Sequence, residues 1–78
     1  MDIREIFARN LRRLRDRHEL SQEELAHAAK IDRTYVSALE RGVYSATITM
    51  VAKLAAVFGV TPASMIEPDA KPVKRKKK

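Results

Sequence analysis

The chain contains no cysteine, so neither disulfides nor thiolate metal sites can staple it and thiol chemistry is excluded. It also lacks long hydrophobic runs. No segment approaches the ~20 apolar residues that a membrane span needs, and the opening residues, MDIREIFARN, do not carry the apolar stretch of a signal peptide. The expectation is a cytoplasmic protein in a reducing environment, with no membrane partner. Metal chemistry is poorly provided for: His18 and His27 stand nine residues apart, with no second histidine at metal spacing from either. Nor is there a nucleophile beside a base, because the serines fall at helix caps, on a polar helix face or in short polar stretches. No enzyme activity, cofactor, metal or small-molecule ligand is expected.

What is present is one small domain's worth of chain. At 78 residues, it buries about 60% of its unfolded surface on folding. Formal net charge is +6, but residues 1–66 carry ten Lys/Arg against eight Asp/Glu. The excess lies in the end segment, where Lys71, Lys74, Arg75, Lys76, Lys77 and Lys78 face only Glu67 and Asp69. Composition therefore does not argue that the folded part binds nucleic acid. The division is a domain at 1–67 and a basic tail at 68–78, PDAKPVKRKKK, which has no apolar periodicity and is expected to be disordered.

The informative stretch is 21–42, SQEELAHAAKIDRTYVSALERG. Ser21 and Glu24 form an S-x-x-E capping box that starts a helix. Leu25, Ala26 and Ala29 recur at helical spacing and make a stripe of small side chains against which a second helix can pack. Asp32 supplies the next N-cap oxygen, and a helix through Arg41 stops at Gly42. Two capped helices and a short turn describe a helix-turn-helix. At roughly 100° per residue, Tyr35, Val36 and Leu39 cluster on one side of the second helix. Arg33, Thr34, Ser37, Ala38 and Arg41 spread over the other. That set suits a major groove: guanidinium for guanine, hydroxyls for several base edges, methyl groups for thymine.

The order L-S-Q-E-E-L-A followed by I-D-R-T-Y-V-S-A-L-E-R-G resembles the helix-turn-helix of the phage-repressor/Cro (XRE) family, over about the first 66 residues. More narrowly, D-R-T-Y-V-S resembles the controller proteins of restriction–modification systems. The resemblance implies an all-α, five-helix, lambda-repressor-like fold, and a regulator that binds operator DNA as a homodimer. It further implies that Gln22 holds a phosphate, that Arg33, Thr34 and Ser37 face bases, that Arg41 touches the backbone, and that Arg15 pairs with Glu40. One departure is Lys30, which stands where the family often has glycine in the turn; a side chain at positive φ costs on the order of 1 kcal/mol.

Around the motif, Asp2 can cap a first helix whose Ile3, Ile6, Phe7, Leu11 and Leu14 line one side. Arg4, Arg9, Arg12, Arg13 and Arg17 read as its solvated face, and Leu20 as an apolar staple. Tyr44 and Ser45, in the loop 43–46, sit where a backbone phosphate is within reach, as does Tyr35 at the edge of the reading helix. Thr47 can cap a fourth helix with Ile48, Val51, Ala52, Ala55 and Phe58 inward and Gly59 as its stop. Thr61 and Pro62 open a fifth, with Met65 and Ile66 inward. A second apolar stripe on the fourth helix, Met50, Leu54 and Val57, together with Thr61 and Pro62, is the expected homodimer face. The expected partner is two-fold-symmetric double-stranded DNA. The competing reading is an antitoxin-type interaction module with secondary DNA binding, which would need a spare partner-covering segment; only the lysine-rich tail is left over for that.

Overall fold

The structure, a computed structural model, describes residues 2–68. Helix α1 (Ile3–Arg17) begins where the Asp2 carboxylate accepts the Arg4 amide at 2.9 Å. Its 3–4 spacing buries Phe7, Ala8, Leu11 and Leu14. The helix ends by a tight closure in which Leu20 N–H donates to the Arg15 carbonyl and Glu19 adopts φ 58°. Ile3, expected in the core, is 56% exposed. It stands on the rim of a small apolar depression with Tyr44 and Ile66, because the first turn of α1 runs past the edge of the elements that cover the rest of the helix.

Both halves of the Ser21–Glu24 capping box are formed at the start of α2 (Gln22–Ala29). Leu25, Ala26 and Ala29 are buried, and the two alanines let α3 (Arg33–Glu40) pack closely against α2. Between the two, Lys30 takes the left-handed conformation, φ 61° and ψ 47°, and Ile31 N–H closes on the Ala26 carbonyl at 2.9 Å. The turn thus has the geometry glycine would favour, with a lysine in it. Asp32 caps α3 by accepting from the Thr34 amide and hydroxyl at 3.1 and 2.7 Å. Gly42 at φ 73° reverses the chain, bringing Val43 N–H onto the Ala38 carbonyl.

Helix α4 (Ile48–Phe58) starts at Thr47, whose hydroxyl accepts the Met50 amide at 3.0 Å, and ends at Gly59. Its buried face differs from the expected one. Leu54 is 0% exposed and joins Ala55 and Phe58 in the core, whereas Ile48 is 88% exposed and Ala52 also faces outward. Met50 and Val57 pack against the core and flank the same face. There is therefore no separate second stripe, and Leu54 is not available to a partner. The physical reason is area: the helix can turn either Leu54 or Ala52 inward, and each additional buried CH₂ is worth about 0.8 kcal/mol.

The expected fifth helix is a single 3-10 turn, Ala63–Ile66. Thr61 Oγ1 accepts the Ser64 amide at 3.2 Å, and Met65 is fully buried, but Ile66 faces out, since 3-10 geometry turns neighbouring side chains further apart than an α-helix does. This turn is clipped to α1 by Asn10, whose Nδ2 donates to the Met65 and Glu67 carbonyls at 2.8 and 2.9 Å. The basic segment expected to be disordered lies, apart from Pro68, outside the described residues. Among the described residues no helix is long and apolar enough to cross a membrane.

Candidate nucleic-acid interface

Helix α3 carries its two faces as separate environments. Val36 and Leu39 are fully buried, while Arg33, Thr34 and Arg41 are exposed and Ser37 is half-exposed. Arg33 lies at the N-terminal end of this outward row and Arg41 just past its other end. Thr34 has a second duty: its hydroxyl donates to the Asp32 cap, which leaves oxygen lone pairs, rather than the proton, facing outward. That hydroxyl, followed by the Thr34 amide, holds the Asp32 carboxyl below its ordinary 3.8.

Ala38 does not stand in the outward row, contrary to expectation. It is 7% exposed and forms the floor of an open depression bounded by Thr34, Tyr35, Arg41, Val43 and Tyr44. The turn at Gly42 folds the chain back beside Ala38, so its methyl group is largely covered. Tyr35 is half-buried and meets Tyr44 edge-on, ring centroids 5.9 Å apart. Tyr44 and Ser45 are exposed beside it, which makes that loop a polar flank to the reading helix.

The end of α3 is anchored by a buried carboxylate. Glu40 is 3% exposed. Arg15 Nε donates to its Oε2 at 2.5 Å, and Arg15 Nη2 to its Oε1 at 3.1 Å. Gln22 Nε2 reaches the same Oε1 at 3.0 Å. The Arg12 guanidinium donates to the Glu40 backbone carbonyl, and Arg15 Nη1 to the Leu20 carbonyl at 2.9 Å. Hydrogen bonding to Glu40 is the main cause that raises the Arg15 pKa. Gln22, expected to hold a phosphate, is half-buried and spends one of its two amide N–H donors on Glu40, because a buried carboxylate needs more donors than one guanidinium supplies.

Of the residues expected at a homodimer face, Thr61 and Pro62 are exposed, Met50 and Val57 are half-buried and Leu54 is internal. Sequence reasoning missed Asn10 and Arg12. Both sit at ordinary surface or stripe positions of α1 and carry no local signal, since their partners lie far along the chain. Among the described residues no group of three or more His, Cys, Asp or Glu side chains could hold a metal ion.

Residues 11–64 match the family model described as helix-turn-helix (HTH_3). The chain is 40% identical over 67 residues to a hypothetical transcription factor of Neisseria meningitidis serogroup B, spanning 86% of this chain and 63% of that protein's length. It is 31% identical over 67 residues to the control protein C.BamHI of Bacillus amyloliquefaciens, covering 85% of this chain and 83% of the relative. Its fold superposes on the restriction–modification controller protein C.AhdI of Aeromonas hydrophila with a TM-score of 0.76 at 35% identity, over 80% of this chain and 94% of the other. The matched residues include α2, the turn at Lys30 and α3, and the chain belongs to the HTH_3 helix-turn-helix family.

Proposed function

We propose that this chain is a DNA-binding transcriptional regulator of the controller kind, acting in the cytoplasm as a homodimer on a two-fold-symmetric operator. The carrying observation is the outward row Arg33, Thr34 and Ser37 on a helix whose opposite face is locked into the core and whose end is tied to α1 through Glu40. Arg33 is the long bidentate donor for a guanine; Thr34 and Ser37 offer hydroxyls to neighbouring edges. Arg41, Tyr44 and Ser45 flank the row and reach the backbone, which sets register without carrying sequence information. Names of relatives such as C.BamHI and C.AhdI support the controller reading.

Two copies follow from the energetics of recognition. Good bidentate contacts supply about 1–3 kcal/mol each, and specific sites are preferred by about 4–10 kcal/mol over other DNA, which a pair of reading helices on matched half-sites reaches comfortably. With Leu54 internal, the copies meet through outward groups near the start of the 3-10 turn, Thr61 and Pro62, supported by the exposed parts of Met50 and Val57. Selection of bound sequences from a random duplex pool tests the proposal: an enriched inverted repeat, with half-sites about one duplex turn apart, is expected. Enrichment of a single half-site with a one-to-one complex in sedimentation would overturn the dimer, and no enrichment would overturn sequence-specific regulation.

A further inference from the structure

An open cleft of about 520 Å³ separates the reading surface from the flank of α1. Glu5, Ala8, Arg9 and Arg12 of α1 line it, together with Gln22, Glu40, Arg41 and Gly42. We infer that Arg9 and Arg12, together with Arg41, form a clamp for backbone phosphates of duplex DNA. The inference rests on the proposed DNA-binding function and adds a site to it, on residues whose positions along α1 read as a solvated face.

Charge is the first argument. Three exposed guanidinium groups face this cleft against one exposed carboxylate, Glu5. The second acid, Glu40, is almost fully buried and already holds Arg15 and Gln22, so it does not repel an incoming anion.

Order is the second. Arg12 is exposed yet tethered, since one of its nitrogens donates to the Glu40 carbonyl at the end of α3. A guanidinium has five N–H donors in a fixed fork, so the tether positions the head group and leaves donors for a phosphate. An arginine held in place before binding loses less rotamer freedom when the anion arrives.

Position is the third. From Arg33 to Arg41 is eight residues, about 12 Å along a helix axis, and the major groove is about 12 Å wide. With Arg33 over base edges, the Arg41 end of α3 lies at the groove wall, where the phosphates are. Arg9 and Arg12 stand across the cleft from it and meet the same strand. The cleft is open to solvent rather than enclosed, which suits a phosphodiester chain better than a sequestered small anion.

The test compares Arg9→Gln, Arg12→Gln, the double variant and Arg12→Lys with the wild type, titrating a selected duplex and a scrambled duplex over a range of salt. Thermal unfolding is followed in parallel because Arg12 also holds the Glu40 carbonyl. Arg9→Gln is the decisive single variant, because the Arg9 side chain makes no hydrogen bond or ion pair among the described residues. Each lost phosphate contact lowers the log–log salt slope by about 0.9. Expected are a slope lower by that amount in Arg9→Gln, by roughly twice that in the double variant, equal losses on both duplexes, and a slope preserved by Arg12→Lys. Unchanged slopes in Arg9→Gln and in the double variant would overturn the clamp. So would saturable binding of inorganic pyrophosphate, lost in Arg9→Gln while the duplex slope stays constant, because the cleft would then serve a small anion. If the wild type binds duplexes without preference and Arg9→Gln still lowers the slope, the clamp stands and sequence-specific regulation falls. If it binds no duplex, both fall.

Discussion

Arg15 grips both carboxylate oxygens of Glu40, and that contact ties the end of α3 to the first helix. The side chains are 17% and 3% exposed, so both partners are largely removed from water. Their mutual attraction then offsets desolvation instead of adding free stability. The pair's value is positional.

Replacing either partner alone, Arg15→Met or Glu40→Met, is expected to cost about 3–5 kcal/mol of unfolding free energy, because one charge is left buried. The double replacement is expected to cost less than the two single losses combined. A double-mutant cycle by urea denaturation reads the coupling, and additivity would show that the pair is not a unit. Arg15 itself brings no pH dependence in the ordinary range: its pKa is raised, so its contribution is present below the ordinary arginine value and lost only as pH rises through the still higher folded one.

Acid is expected to act at the Asp32 cap. The folded pKa of this group is lowered, first by the Thr34 hydroxyl. Its contribution is therefore present above 3.8, the ordinary value, and is lost as pH falls through the lower folded one. In Thr34→Val, the Asp32 carboxyl is expected to titrate at higher pH, followed by side-chain NMR. An unmoved titration would show that the hydroxyl is not the cause.

Lys30→Gly is expected to stabilise the domain by roughly 1 kcal/mol, since only the backbone conformation of that turn opposes a side chain there. Lys30→Val, whose branched Cβ tolerates positive φ worst, is expected to destabilise it. Midpoints of urea unfolding give the order. Glycine failing to exceed lysine would mean that its extra unfolded-state entropy cancels the relief of strain.

The rotation of α4 makes opposite forecasts for two neighbouring apolar residues. Leu54→Ala is expected to cost about 2–5 kcal/mol through a core cavity. Ile48→Ala, at an exposed site, is expected to change stability by no more than about 0.5 kcal/mol. Guanidinium unfolding of the two variants is the direct comparison, and a large loss at Ile48 with little at Leu54 would reverse the assignment of the faces.

The local punctuation of the chain was legible in the sequence. Ser21, Asp32 and Thr47 cap helices, and Gly42 and Gly59 end them, because a cap depends on a side chain and an amide within three residues of it. The split faces of α3 were legible for the same reason, as periodicity alone separates Val36 and Leu39 from Arg33 and Thr34. The left-handed turn at Lys30 was legible only through the family resemblance, which puts a glycine there.

What only the tertiary structure decided is everything that needs a distant partner. Periodicity outlines two adjacent apolar stripes on α4 but not how the helix is rotated; packing against the other helices buries Leu54 together with Ala55 and Phe58 and leaves Ile48 outside. Ala38 reads as a groove-facing methyl until the returning chain at Val43 and Tyr44 covers it. Nothing near Gln22 in the sequence shows that Glu40, eighteen residues on, takes one of its amide donors. Asn10 reads as a polar residue on a helix until the Met65 carbonyl, fifty-five residues away, claims its donor. Backbone hydrogen bonds within a turn are set by neighbours in sequence. A buried polar group must instead be satisfied by whatever the fold brings beside it, and burial is a property of the assembled helices rather than of any one of them.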